Sequence, residues 1–111
     1  MKISLNYKNR KIGIDVKRCN LFWMIKGLMF ARRESAKALL FNFKKETRIS
    51  IHSFFCPKFL AVWLNKNNNI LEMKKVFPWS FSIFPKRKFS KLVEIPCNRK
   101  YDEILKFLDE D

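Results

Sequence analysis

Apolar and polar positions alternate, or run unbroken over strand length, through most of this 111-residue chain, and one unbroken run organises the rest. Phe59-Leu60-Ala61-Val62-Trp63-Leu64 is apolar at every position, which predicts a strand covered on both faces. Asn65-Lys66-Asn67-Asn68-Asn69 then breaks the run. Asparagine tolerates left-handed backbone angles and its side chain mimics a turn, so residues 70–77 are expected to return antiparallel beside the buried strand. Pro78 has no N–H to give to a ladder and ends that return.

The same period-2 signal recurs on both sides of this hairpin. Ile3, Leu5 and Tyr7 alternate with Ser4 and Asn6, and Ile12, Ile14 and Val16 alternate with Gly13 and Asp15, so Lys8-Asn9-Arg10-Lys11 is expected to link a first hairpin. Asn20 is placed to cap a short helix over residues 21–26, closed by Gly27. Residues 38–43 read as a second buried strand. Ile49 and Ile51 alternate with polar neighbours and run on into Phe54 and Phe55; Phe81 and Ile83 alternate with Ser80 and Ser82; residues 91–95 form a final strand stopped by Pro96. From Tyr101 the period changes to 3.6, and Tyr101, Ile104, Leu105 and Leu108 share one stripe of a closing helix over about residues 98–108. The expected fold is mainly β: a compact antiparallel sandwich or barrel of about seven strands, with a short helix in the N-terminal half and a C-terminal amphipathic helix, in a single domain over residues 1–111.

Composition narrows the classes. Twelve Phe and three Trp supply large packing units, and only two Gly and four Pro leave the turns to Asn and Lys, which argues against a glycine-rich phosphate loop. No segment approaches the roughly 20 apolar residues that span a bilayer, and the alternating N-terminus lacks the order of a signal peptide, so no integral membrane association and a cytoplasmic location are expected. Cys19, Cys56 and Cys97 are an odd number at wide spacing, which predicts reduced, buried thiols rather than a disulfide framework or a metal site. The net charge of +14 is uneven: residues 1–101 hold 23 Lys and Arg against 5 acids, while residues 102–111 hold one Lys against five acids. A basic body of this kind favours nucleic acid or another polyanion, such as an anionic membrane surface, as partner, or else is a solvated face.

The ordered set Gly27-Leu28-Met29-Phe30, Ser50-Ile51-His52-Ser53-Phe54-Phe55, Val62-Trp63-Leu64, Pro78-Trp79 and Val93-Glu94-Ile95-Pro96 resembles a small prokaryotic family catalogued as domain of unknown function 192 (uncharacterised protein family 0127). The similarity covers residues 12–98 and implies a small β sandwich or barrel with a short helix ahead of the Gly-Leu-Met segment. Leu64-Asn65 stands where many relatives have Leu-Asp, and Cys56 where a methionine is common. Relatives continue after the Pro96 position through a Gly into a closing Gly-Asp strand, whereas Cys97-Asn98 leads here into the terminal helix. The resemblance implies no established reaction, cofactor or partner.

Candidate chemistry is sparse. His52 and Cys56 invite a base and nucleophile reading, but four residues of extended strand separate them by about 13 Å, beyond proton transfer. Asp15, Glu72 and Glu94 are isolated acids, expected to pair with the abundant Lys and Arg. One His and no two cysteines at ligand spacing predict no metal, and no cofactor motif occurs. The residues that stand out are Phe77, Trp79 and Phe81, flanked by Lys74, Lys75, Lys86, Arg87 and Lys88. Their alternation assigns the aromatics to the core, while the five cations form a candidate nucleic-acid-binding rim if the chain folds back between them. An enzyme acting on an anionic small molecule, and a protein-interaction module using Phe22-Trp23-Met24, are the readings of other classes.

Overall fold

The computed structural model describes residues 1–19, 32, 34–53, 56–80 and 82–109. Among these residues are six strands: β1 (Lys2–Tyr7), β2 (Arg10–Cys19), β3 (Ala38–Thr47), β4 (Phe59–Leu64), β5 (Ile70–Val76) and β6 (Phe89–Pro96). A 3-10 turn over Arg99–Tyr101 leads into α1 (Asp102–Asp109). The strands form one sheet in the order β1-β2-β3-β6-β4-β5.

β4 is buried at all six positions, as its unbroken apolar run predicts. Phe59, Ala61 and Trp63 pack on one face of the sheet with Leu39, Phe41 and Phe89. Leu60, Val62 and Leu64 pack on the other with Leu40, Val93 and Ile95, beneath Tyr101 and Leu108 of the closing helix. Its two neighbours hold it in register, with Val62 opposite Met73 of β5 and Val93 of β6.

The turns obey their residues. Lys8 and Asn9, at φ 49° and 65°, form a two-residue hairpin loop between the paired Tyr7 and Arg10, the backbone that matches strand twist. In the β4–β5 loop the Asn65 Oδ1 accepts the N–H groups of Asn67 (2.9 Å) and Asn69 (3.0 Å), and Asn68 takes the left-handed conformation at φ 65°. The asparagine cluster is therefore the turn itself.

The sheet is a strongly curled half-barrel and not a two-sheet sandwich. Its outer strands meet at one end, where the Asn6 N–H donates to the Asn68 carbonyl (2.9 Å) and the Asn6 Nδ2 to the Asn67 carbonyl (3.0 Å). Nor is it wholly antiparallel, because β2 and β3 run parallel. Residues 20–37 between them give length enough for the crossover that a parallel pair requires.

Among the described residues there are six strands where about seven are expected. Of the segments expected to pair there, the described residues 49–53 and 82–83 make an isolated bridge between Ile51 and Ile83. The reason is Ser53: its N–H donates to the Ser80 carbonyl (3.0 Å) and its own carbonyl accepts from Trp79 and Cys56, so the groups a ladder needs are already taken. The helix expected over residues 21–26 lies outside the described residues, as does the Phe22-Trp23-Met24 segment.

The closing helix docks on the concave face through Tyr101. Its buried hydroxyl accepts the Ala38 N–H at 2.8 Å and reaches the Asp15 carbonyl at 3.4 Å, while Asn98 Nδ2 donates to the Ala36 carbonyl at 3.1 Å. These bonds tie the C-terminal turn to the start of β3. Replacing Tyr101 by Phe leaves the buried Ala38 N–H without its acceptor, so a loss of about 1–3 kcal/mol is expected in urea unfolding. An unchanged midpoint would mean that the anchor is apolar packing alone.

Candidate nucleic-acid interface

The loop after β5 is held from below by one small side chain. Ser53, fully buried, donates its Oγ–H to the Phe77 carbonyl (2.5 Å) and accepts the Ser80 N–H (2.7 Å). Its carbonyl accepts the Trp79 N–H (3.0 Å), and the Ser80 hydroxyl adds a bond to the Phe77 carbonyl (2.9 Å). Trp79 is fixed at φ 65°, a conformation that bulky residues rarely adopt. The Phe77 and Ser80 carbonyls and the Trp79 and Ser80 N–H groups are thus bonded while the Phe77 and Trp79 side chains face out.

Phe77 and Trp79 are 57% and 55% exposed, with Phe84 at 54%, which corrects their assignment to the core. Alternation placed them on a strand face, but β5 ends at Val76 and the loop turns them away. Phe81 lies outside the described residues. The Lys58 ammonium sits 4.7 Å from the centre of the Phe77 ring, a cation–π contact that joins the aromatic loop to a groove.

That groove, about 560 Å³, runs between the β4–β5 side of the sheet and α1. Lys58, Lys74, Lys75 and Lys106 stand around a floor that includes Leu60, Met73 and Leu105, and Asp102 is the one carboxylate in the lining. Lys58, Lys106 and Tyr7, which also lines it, escaped the sequence reading because they are far apart in the chain. Lys106 had a signal available, since it lies on the helix whose apolar stripe was legible.

The five cations picked out in the sequence are divided by the strand period. Lys75 lies opposite Leu60 and so faces the helix side, whereas Lys74 lies opposite Ala61 and faces the other. Lys86, Arg87 and Lys88 are exposed on the turn before β6. The Lys86 N–H donates to the Glu72 carboxylate at 2.7 Å, and Glu72 shares the face of Lys74, about 7 Å along the strand. The basic turn therefore stands beside Lys74, and Lys75 belongs to the groove.

The remaining candidates are dispersed. Cys56 is packed in the apolar cluster on the convex side and His52 is half-buried; the Cys56 N–H donates to the Ser53 carbonyl, a bond that the assumed extended strand does not make. None of the three cysteines is in a disulfide, Cys19 and Cys56 being buried and Cys97 partly exposed. Burial pushes the Cys19 thiol up. Among the described residues no three His, Cys, Asp or Glu stand close enough to hold a metal, and no helix is long and apolar enough to cross a membrane.

Among the described residues, Asp15, Glu72 and Glu94 make no ion pair with a Lys or Arg side chain, contrary to expectation. Asp15 binds the N-terminal ammonium of Met1 at 3.2 Å, which holds its carboxyl below the ordinary value. Glu72 accepts a backbone N–H. Glu94 is buried on β6 between Leu39 of β3 and Ala61 of β4, where desolvation pushes its carboxyl up to about 8.

Comparisons with known proteins reveal fold and little else. No family model matches the chain, and no curated protein is similar to it in sequence. A crystal structure from Sinorhizobium meliloti 1021, described as a "putative transcription regulator", superposes with a TM-score of 0.74 at 16% identity, covering 93% of this chain and 83% of that one. A protein of unknown function from Novosphingobium aromaticivorans DSM 12444 gives 0.71 at 9% identity, covering 91% and 75%.

The raised Glu94 carboxyl gives stability a direction with pH. Below about 4.5, its ordinary value, the acid is protonated in both states; between there and about 8 only the unfolded chain ionises, so stability is lost as pH rises. Glu94→Gln removes the titration. Its stability relative to the parent is expected to climb by several kcal/mol between pH 4.5 and 8 and then level off, read from urea midpoints. A difference independent of pH would show that Glu94 is already ionised when buried.

Proposed function

We propose that this protein is a polyanion-binding module whose ligand is single-stranded nucleic acid, bound on the aromatic loop and the cations around it. The observation that carries this reading is the exposure of Phe77 and Trp79 on a loop made rigid by Ser53, with Lys58 against the Phe77 ring. Rigid exposed aromatics offer stacking surfaces to bases, and lysines beside them neutralise phosphates without reading sequence. The net charge of +14 supplies long-range attraction of the same sign. The description of the Sinorhizobium protein agrees in kind, since a transcription regulator works beside nucleic acid.

We also propose that the chain is a divergent member of the family of domain of unknown function 192. The support is the order of the quoted segments, two of which, Val62-Trp63-Leu64 and Val93-Glu94-Ile95-Pro96, lie on the paired strands β4 and β6.

Fluorescence anisotropy with a labelled oligothymidylate over a salt series tests the binding. Trp79→Ala is expected to weaken binding by about 1–3 kcal/mol, the loss typical of one stacked base. Replacing Lys74, Lys75, Lys86, Arg87 and Lys88 together by Gln should flatten the salt slope by about 0.7 for each phosphate contact removed. A slope left intact by the five-fold change moves the phosphate site elsewhere, and absence of binding at low salt removes the reading.

A further inference from the structure

Contact with nucleic acid does not account for the floor of the groove. Bases stack on aromatic or guanidinium planes, but Tyr7 is the one aromatic in the lining of the groove beside α1, against Leu60 and Met73 from the sheet and Leu105 and Leu108 from the helix. Around this apolar floor stand Lys58, Lys75 and Lys106 on the helix side, with Lys74 at the rim and Asp102 as the lone acid. A volume of about 560 Å³ falls within the range of roughly 300–1,000 Å³ common to small-molecule sites. An apolar floor under a cationic rim is complementary to one kind of molecule: an apolar body with a single anionic end.

We propose that this groove binds a small amphipathic anion, an acyl chain ending in a carboxylate or a phosphate. The chain lies on Leu60, Met73 and Leu105, and the head is held among Lys58, Lys75 and Lys106. Lysine suits this role because its flexible stem covers apolar surface while the ammonium follows the head group. Lys58 and Lys75 also serve the nucleic-acid reading, but Leu60, Met73 and Leu105 do not, so a ligand series that reads the apolar floor separates this site from base stacking at Phe77 and Trp79.

Isothermal titration calorimetry on the full chain, with ligands below their micelle concentrations, tests the chemistry. Dodecanoate or dodecyl phosphate is expected to bind one to one, and whichever is tighter identifies the head group. Dodecyltrimethylammonium, with the same chain and the opposite charge, should bind at least about tenfold more weakly. Octanoate should also bind more weakly than dodecanoate, by up to about fourfold for each methylene removed. Acetate and inorganic phosphate alone should give no saturable heat.

In the unchanged protein, the methyl signals of Met73 and Leu105 should shift on adding dodecanoate. The double change Lys58→Glu and Lys75→Glu should lower dodecanoate affinity at least about tenfold, with folding checked by thermal melting. Equal binding of anionic and cationic chains, shifts confined to other methyls, or no saturable binding overturns the proposal. The head-group series and the methyl map decide it even if the double variant fails to fold.

Discussion

The structure depends on a strand that has no wet face. β4 contributes three side chains to each of two apolar clusters, and a sheet with both faces covered at its centre needs elements on each side. On the concave side that cover is α1, anchored by the Tyr101 hydroxyl on the Ala38 N–H. The curl follows from the same requirement, since bending the sheet around the helix lets strands as far apart as β1 and β5 share its apolar stripe. The contact of Asn6 with Asn67 and Asn68 then closes one end of the half-barrel with hydrogen bonds.

Ser53 links this frame to the candidate interface. A buried serine that accepts one backbone N–H and donates to a carbonyl does for the loop what a strand neighbour does for a strand. Because these backbone bonds hold the loop, Phe77 and Trp79 need not be buried to keep it in place. Their exposure is a property of the loop's hydrogen bonding and runs against what the number of aromatics in the chain leads one to expect.

Strand existence was legible and strand surroundings were not. Period-2 alternation located the first hairpin, and the apolar run of 59–64 with the asparagines after it located the second and foretold burial on both faces, because those signals are local. The parallel pairing of β2 with β3 was hidden, since it depends on a crossover that leaves no local period. Glu94 was misjudged for a related reason. It alternates with Val93 and Ile95 and so resembles a solvent-facing position, but the strand it occupies lies between β3 and β4, with core on both sides. The candidate site was half legible: the cations of 74–75 and 86–88 are dense enough to notice in the chain, whereas Lys58 and Lys106 join them only through folding.

The charges on β5 have a structural use to be weighed beside binding. Among the described residues β5 pairs only with β4, apart from the bridge of Asn69 to Asn6 at its start, so the edge along 71–76 is open. An open edge invites a second chain, and lysines on it oppose such pairing. Lys74 and Lys75 point to opposite faces, so they guard the edge from both sides, an arrangement that protection alone would favour. Edge protection does not require the cations at Lys58 and Lys106, which lie off β5 and converge on the same groove. Nor does it require aromatics at the strand's end, where exposed Phe and Trp promote association. Those residues add to the cost of an exposed surface without serving the core, and a ligand on that surface is the physical circumstance in which they become favourable.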